Sequence, residues 1–153
     1  MEKKERQKNN LEKPVENKKD SHMNWYLINA KNKIVGRLST KVAKLLMGKD
    51  KIEFVKYMDK GDAVVVINAS EVAVTGNKES DKKYYRYSGY PGGLKETTLE
   101  KLRQRKPEYI IYHAVAGMLP KNKLGKSMIK KLHIYPKELH PHEAQKPQEL
   151  EIK

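Results

Sequence analysis

The stretch YIIYHAVAGMLPKNKLGKSMIKK, residues 109–131, decides how the chain folds, because it joins an apolar helix to a basic helix through a tight break. The first helix can begin at Pro107, since proline fits the first turn of a helix. Apolar or small residues would cover two adjoining faces of this helix: Ile110, Ala114 and Gly117 on one, and Ile111, Val115 and Met118 on the other. The sequence therefore predicts a helix that is buried over a wide arc.

After a break in the chain, a second helix is predicted to carry a row of lysines. Gly117 can supply a left-handed or close-packed backbone, and Pro120 prevents the first helix from continuing. Asn122 can then cap a second helix. Its lysines would follow at i, i+3 and i+7 and form one cationic stripe: Lys123, Lys126 and Lys130. The two helices would thus form a buried rod with a rigid cationic edge.

Strand and helix patterns before this stretch predict an α/β fold. The run AVVVIN, residues 63–68, is typical of a strand buried on both faces in a parallel sheet covered by helices. Further strands are predicted at residues 25–30, 72–75 and 132–135. An amphipathic helix is predicted over residues 36–47, with Gly48 closing it. Strand, helix and strand in this order imply a right-handed crossover.

Charge and composition indicate a polyanion binder. The chain of 153 residues has a formal net charge of +14 and a sequence pI of about 9.7. Such a balance is the electrostatic footprint of nucleic-acid-binding proteins, although a merely soluble basic protein is the plain alternative. The absence of cysteine excludes disulfides and thiolate metal sites. No apolar run is long enough to span a membrane.

Composition divides the chain into three parts. Residues 1–22 are charged and almost without apolar side chains, so we expect a disordered extension. It could thread into an RNA-rich assembly or be idle, and composition does not separate these alternatives. Residues 23–136 are expected to form the RNA-binding α/β domain. Residues 137–153 read as an extended, polar C-terminal tail that builds no core of its own.

The predicted helix over residues 36–47 carries a second, cationic face. Arg37, Lys41 and Lys44 recur at i, i+4 and i+7, and Lys49 and Lys51 follow the helix. A charged stripe is usually a solvated face. We favour contact with RNA phosphates here because the rest of the chain is also strongly basic.

Residues 82–95, KKYYRYSGYPGGLK, interleave aromatic and cationic side chains. Tyrosine rings can stack on unpaired bases while the cations meet phosphates. The interleaved residues are Lys82, Lys83, Tyr84, Tyr85, Arg86, Tyr87, Tyr90 and Lys95, with Gly89, Gly92 and Gly93 allowing close approach of the backbone. The alternative is a twisted hairpin whose tyrosines pack on the core. After this loop, Thr97 and Glu100 fit a capping box that starts a helix running to Arg105.

Two motifs that suggest other chemistry are incomplete. PKNKLGKS, residues 120–127, has Pro120 where a phosphate-binding loop needs glycine, so nucleotide hydrolysis is disfavoured. His133, His140 and His142 lack the helical spacing and cysteine partners of common zinc sites. We predict no catalytic residues, no metal and no cofactor. We favour the interpretation that the histidines of the tail form hydrogen bonds with RNA or protein.

Six motifs in order resemble the bacterial-type ribosomal protein L-thirteen family of the large subunit. They are WYLINAKNKIVGRLSTKVAKLLMGK, GDAVVVINA, VTGNK, SGYPGGLK, AVAGMLPKN and HPHEAQKP. The resemblance implies a three-layer α/β/α domain with a small, mostly parallel sheet and extended basic loops and tails. It also implies a structural, non-catalytic role in binding rRNA, with early participation in assembly. Its motifs map to Arg37, Lys49, Lys78, Tyr90, Gly92, Gly93, Met118, Lys121, His140 and His142.

We therefore expect a structural constituent of the large subunit in cytoplasmic ribosomes. Its expected partners are large-subunit rRNA and neighbouring large-subunit proteins, with no membrane and no small-molecule substrate. The RNA-binding set combines the family positions with the basic stripes and loop: Arg37, Lys41, Lys44, Lys49, Lys51, Lys78, Lys82, Lys83, Tyr84, Arg86, Tyr87, Tyr90, Gly92, Gly93, Lys95, Met118, Lys121, Lys123, Lys126, Lys130, His140 and His142. The alternatives are a free regulatory RNA-binding module and a nucleotide-dependent enzyme that uses PKNKLGKS.

Overall fold

The computed structural model describes residues 23–152, and the expectation for residues 1–22 lies outside the described residues. In chain order the regular elements are β1 (Trp25–Asn29), α1 (Val35–Met47), β2 (Ala63–Ile67), α2 (Lys78–Asp81), β3 (Lys83–Tyr87), β4 (Leu94–Thr98), α3 (Leu99–Arg105), α4 (Glu108–Met118), α5 (Lys123–Met128), β5 (Leu132–Ile134) and β6 (Gln148–Glu149). Short 3-10 turns lie at Ala69–Glu71, Ile129–Lys131 and Glu143–Gln145.

A parallel sheet of four strands, in the order β5-β2-β1-β6, organises the fold. All five residues of β2 are buried, as the continuous β-branched run predicted. β3 and β4 form a separate antiparallel hairpin. The predicted α/β class with a mostly parallel sheet is confirmed.

One face of the sheet packs against α1 and α4. Side chains alternate along a strand, so the pairing register places Ile28, Val64 and Val66 on this same face. They are fully buried in one cluster with apolar residues of α1 and α4, including Leu38, Val42, Leu46, Ile111 and Val115. The core therefore lies between the sheet and these two helices.

The other face is covered by the chain between β5 and β6. Trp25 and His133 lie on this face by register, and their rings stack with centroids 5.5 Å apart. His142, from the connecting segment, lies 5.2 Å from Trp25 and 4.5 Å from His133. Because β5 and β6 occupy opposite edges, these ring contacts show which face the segment crosses.

The helix predicted over residues 36–47 is α1, which begins one residue earlier at Val35. Gly48 closes it with φ +71°, as predicted, because this left-handed conformation costs glycine little. Its N–H donates to the Leu45 carbonyl at 3.0 Å. The Lys49 N–H donates to the Lys44 carbonyl at 3.1 Å. Two of the carbonyls that the helix end leaves without an intrahelical partner are thus satisfied.

Three local predictions are wrong. Residues 72–75 form no strand, since their only pairing among residues 23–152 is a single bridge between Ile34 and Ala73. The predicted capping box fails because Thr97 belongs to β4. The residue before α3 is Thr98, one position later, and its side chain makes no capping hydrogen bond. Gly117 is not the left-handed end of α4: it lies inside the helix, and extended Leu119 ends it.

Sequence reasoning missed β6 in the C-terminal tail. Gln148 and Glu149 pair in parallel with β1, and the Leu150 N–H donates to the Leu27 carbonyl at 2.9 Å. Ile152 then enters the core with 9% of its surface exposed. The end of the tail therefore closes one edge of the sheet, while the domain boundary at residue 136 stays a prediction.

Candidate nucleic-acid interface

The β3–β4 hairpin separates its side chains onto two faces. Antiparallel register places Tyr85, Tyr87 and Leu94 on one face, all more than half exposed. The opposite face carries Tyr84 with Arg86 and Lys95, which are paired across the strands. The twisted-hairpin interpretation of this loop is therefore correct for the backbone, and most of its side chains still point to solvent.

The hairpin tip is built by glycine. Gly89 and Gly92 have φ values of +94° and +71°, in the region that glycine adopts without steric cost. A Cβ added at Gly93 would overlap the Ser88 hydroxyl. This tight turn holds Tyr90 outward with 76% of its surface exposed, so its ring is available to a ligand.

Tyr84 packs inward, unlike the other predicted tyrosines. Its ring meets His113 and Tyr109 of α4 at centroid distances of 5.3 and 6.4 Å. Burial, with smaller contributions from Tyr109 and Glu79, raises the pKa of its hydroxyl. The packing explanation therefore describes Tyr84 better than base stacking does. Lys82 lies above the same ring, 5.8 Å from its centre.

The cationic stripe on α1 forms one wall of an open groove. Arg37, Lys41 and Lys44 line it, together with Glu151 and Ile152 from the end of the chain. Lys41 is paired with Asp50 at 3.2 Å. Arg37 and Lys44 are exposed and have no ion-pair partner among residues 23–152. The groove thus combines two free cations with one acidic side chain.

The break after α4 positions the second basic region. The Asn122 side chain accepts a hydrogen bond from the Gly125 N–H at 2.8 Å, which confirms the predicted cap. A Cβ added at Gly125 would overlap the Pro120 carbonyl oxygen, so the turn requires glycine there. Lys123 and Lys126 are exposed on α5, but Lys130 lies in the following 3-10 turn. The three lysines are therefore close in sequence without forming one regular helical stripe.

The same segment lacks the architecture of a phosphate-binding loop. PKNKLGKS follows helix α4, whereas a phosphate-binding loop follows a strand. Met118, at the end of α4, is 42% exposed rather than buried. Its sulfur lies 3.8 Å from the Thr40 hydroxyl of α1.

Some predicted cations are already used inside the fold. Lys51 pairs with Asp62, a carboxylate with only 3% of its surface exposed that also accepts the Asn24 N–H at 3.0 Å. Lys83 pairs with Glu96 across the hairpin at 3.0 Å. The remaining predicted cations have no ion-pair partner in the described part of the chain: Arg37, Lys44, Lys49, Lys78, Lys82, Arg86, Lys95, Lys121, Lys123, Lys126 and Lys130.

The tail histidines belong to an aromatic cluster on the second face of the sheet. The Tyr135 hydroxyl and His142 Nε2 are 2.8 Å apart. The backbone N–H of His142 donates to His140 Nδ1 at 3.2 Å. Burial, and secondarily His142, lowers the pKa of His133. No group of three metal-ligating side chains was found within residues 23–152.

Three exposed tyrosines lie outside the predicted RNA-binding set, and the sequence pattern singled out only the first of them. Tyr85, one of the interleaved aromatic residues of the hairpin loop, is 60% exposed beside Tyr87. Tyr109 and Tyr112 on α4 are 43% and 41% exposed. Their exposure depends on how α4 meets the edge of the sheet, which local sequence does not reveal. Separately, none of the described helices has the length and apolar character needed to cross a membrane.

Comparison with known proteins identifies the family. Residues 23–141 match the family model described as ribosomal protein L13. A large ribosomal subunit protein uL13 from Thermoanaerobacter sp. (strain X514) is 51% identical over 145 residues, covering 95% of this chain and 99% of that protein. The uL13 protein of Psychrobacter arcticus is 56% identical over 128 residues, covering 84% and 90% of the two chains.

A third relative agrees with these two. The uL13 protein of Alcanivorax borkumensis is 54% identical over 140 residues, covering 92% of this chain and 96% of that protein. Such identity spans the sheet, the helices and the hairpin together. The chain therefore belongs to the ribosomal protein L13 family, whose members are structural proteins rather than enzymes.

Proposed function

We propose that this chain is a structural constituent of the large subunit of cytoplasmic ribosomes, where it binds and organises rRNA. The observation that carries the proposal is its match, along most of its length, to proteins named for the large ribosomal subunit. Large-subunit rRNA and neighbouring large-subunit proteins are its proposed partners.

Free cations on separate elements support a bridging mechanism. Arg37 and Lys44 lie on α1, Arg86 and Lys95 on the hairpin, and Lys123 and Lys126 on α5. Lysine and arginine contacts to phosphates position a protein on nucleic acid without reading its sequence. α1 and α5 share the hydrophobic core, and the hairpin packs on α4 through Tyr84. Because this packing fixes the spacing of the elements, their cations would hold phosphates from different RNA segments at defined distances.

The hairpin tip adds aromatic surface to these cations. Tyr90 projects from the glycine turn, and Tyr87 lies nearby on β3. Their rings would stack on unpaired bases. Such stacking does not depend on the sequence, because every base presents a flat aromatic face. Gly92 and Gly93 would let RNA approach the backbone closely.

The other predicted positions are proposed contacts of the same interface. Lys49 follows α1, Lys78 begins α2, and Met118 and Lys121 flank the break before α5. His140 and His142 lie on the second face of the sheet, where they would donate hydrogen bonds to RNA or to a neighbouring protein. An interface that joins separate RNA segments would act before those segments are packed, and we therefore place the chain early in assembly.

The salt dependence of RNA binding tests this mechanism. Replacing Lys123, Lys126 and Lys130 together by alanine should weaken binding to large-subunit rRNA. Each lost phosphate contact lowers the magnitude of the slope of log K against log salt by about 0.7–0.9, so three contacts predict a decrease of about two to three. Filter binding of the purified chain over a range of salt concentrations measures this slope.

A variant at two lysines that are paired within the fold controls for the loss of positive charge outside α5. Lys31 and Lys60 are both engaged in ion pairs, at 3.4 Å with Glu71 and 3.3 Å with Glu53. Their double alanine variant should change the slope by less than about one. If the triple variant kept the slope of the unaltered protein while remaining folded, α5 and the turn after it would not contact RNA phosphates.

A further inference from the structure

An apolar groove runs along the free edge of the sheet, between β5 and α4. Its floor is formed by Leu132 and Ile134 of β5, and its wall by Tyr109 and Tyr112 of α4. The two tyrosine rings are stacked, with centroids 6.2 Å apart, and each tyrosine keeps about two fifths of its surface exposed. Lys106 and Glu108 stand at the rim and carry opposite charges.

The edge of β5 presents unpaired backbone groups beside this groove. β5 ends the sheet, and no strand among residues 23–152 pairs with its outer side. The Tyr135 N–H donates inward to the Val66 carbonyl at 2.8 Å. Backbone groups alternate in direction along a strand, so the N–H and C=O of Ile134 point outward to the open edge.

We propose that this groove receives an extended segment of a neighbouring protein, which adds a strand to β5. The proposal rests on the proposed function, since a neighbour is expected only within the large subunit. The edge offers both a donor and an acceptor, and an extended peptide supplies both in return. RNA phosphates only accept hydrogen bonds, and the groove has no net charge to attract them.

The geometry also predicts the pattern of the partner segment. Alternate side chains of an added strand point to the same face, so every second residue would meet Tyr109 and Tyr112. Those residues should be apolar. Because β5 has three residues, the paired segment needs to be only about four or five residues long. Such short strand additions gain affinity from main-chain hydrogen bonds and specificity from alternate side chains.

Photo-cross-linking in assembled subunits tests the occupant of the groove. The photoreactive residue p-benzoylphenylalanine is placed at Tyr112 in the full chain, and large subunits are purified and irradiated. We expect a cross-link to one protein of the subunit, mapped by mass spectrometry to a segment with alternating apolar residues. The same probe at Tyr90, on the hairpin tip, should not label that segment.

Three results would overturn the inference while leaving the proposed function intact: a cross-link to rRNA, a cross-link to residues 1–22 of the same chain, or no cross-link in subunits that contain the chain. A chain that never enters large subunits would overturn the proposed function, and this inference with it.

A second measurement tests strand addition itself. A synthetic peptide of the mapped segment should bind the isolated protein. Ile134→Pro removes the outward N–H, and proline is tolerated at such edge positions. It should lower the peptide affinity by about tenfold, whereas Ile134→Val should change it by less than about twofold. Equal affinities for folded Ile134→Pro and Ile134→Val would exclude pairing at this edge.

Discussion

At the scale of single residues, close backbone approaches decide which glycines the fold requires. Gly61 precedes β2, and a Cβ there would overlap the Leu46 carbonyl oxygen of α1. Gly117, inside α4, has open space where its Cβ would be. Packing thus requires glycine at position 61 and does not require it at position 117.

This contrast makes a prediction about stability. Gly61→Ala should lower the free energy of unfolding by about 1–3 kcal/mol, because backbone must shift to relieve the overlap. Gly117→Ala should raise it by about 0.5–1 kcal/mol, since alanine favours a helix over glycine. Urea denaturation measures both. If both variants lost the same stability, the close packing of Gly61 on α1 would be wrong.

The lowered pKa of His133 predicts that the protein becomes less stable as the pH falls. The folded state lowers the pKa of His133, mainly because the ring is buried against Trp25 and secondarily because His142 lies beside it. Tyr135 also faces this cluster, and its hydroxyl is hydrogen-bonded to His142. Above the ordinary histidine pKa of about 6.5, both folded and unfolded states keep this group neutral. As the pH falls below that value, the unfolded state takes up the proton first, so the contribution of this group to stability is lost.

The His133→Gln variant isolates this effect. Unfolding free energies of the variant and the unaltered protein are compared at about pH 7.5 and about pH 5.5. The unaltered protein should lose more stability between the two conditions than the variant does. An equal loss in both proteins would assign the pH dependence to other groups.

At the scale of elements, the sequence predicted the strands and helices whose local residue pattern is sufficient to specify them. β2 was recognisable because a run of β-branched residues suits a strand buried on both faces. α1 was recognisable from its period and from Gly48. By contrast, β6 consists of the two polar residues Gln148 and Glu149, and it exists because the free edge of β1 is near. Long-range pairing of this kind leaves no mark in the local pattern.

The C-terminal segment yields a test of that missed element. Ile152→Ala should destabilise the protein by about 2–4 kcal/mol, because it empties a site in the core next to α1. Leu139→Ala, in the exposed part of the same tail, should change stability by less than about 0.5 kcal/mol. Thermal or urea unfolding compares them, and a harmless Ile152→Ala would show that the tail end does not contribute to the core.

At the scale of the whole molecule, folding selects which charges remain available. Lys51 neutralises buried Asp62, and Lys83 pairs with Glu96 on the hairpin. Sequence could predict that the surface is basic, because composition alone shows it. It could not distinguish Lys51 from Lys49, since that difference depends on a carboxylate brought near by the fold. Likewise, Tyr84 and Tyr90 look equivalent in sequence, and only packing against α4 separates them.

An integral component of the large ribosomal subunit stays bound to that subunit at high salt, and we expect this of the chain. Sedimentation of a cell lysate through a sucrose gradient at high salt, with immunodetection of this chain, tests it most directly. High salt releases proteins held only by weak surface electrostatics. We predict that the chain migrates with the large subunit after the salt wash. Its release to the top of the gradient would contradict the account and indicate a peripheral or free RNA-binding protein instead.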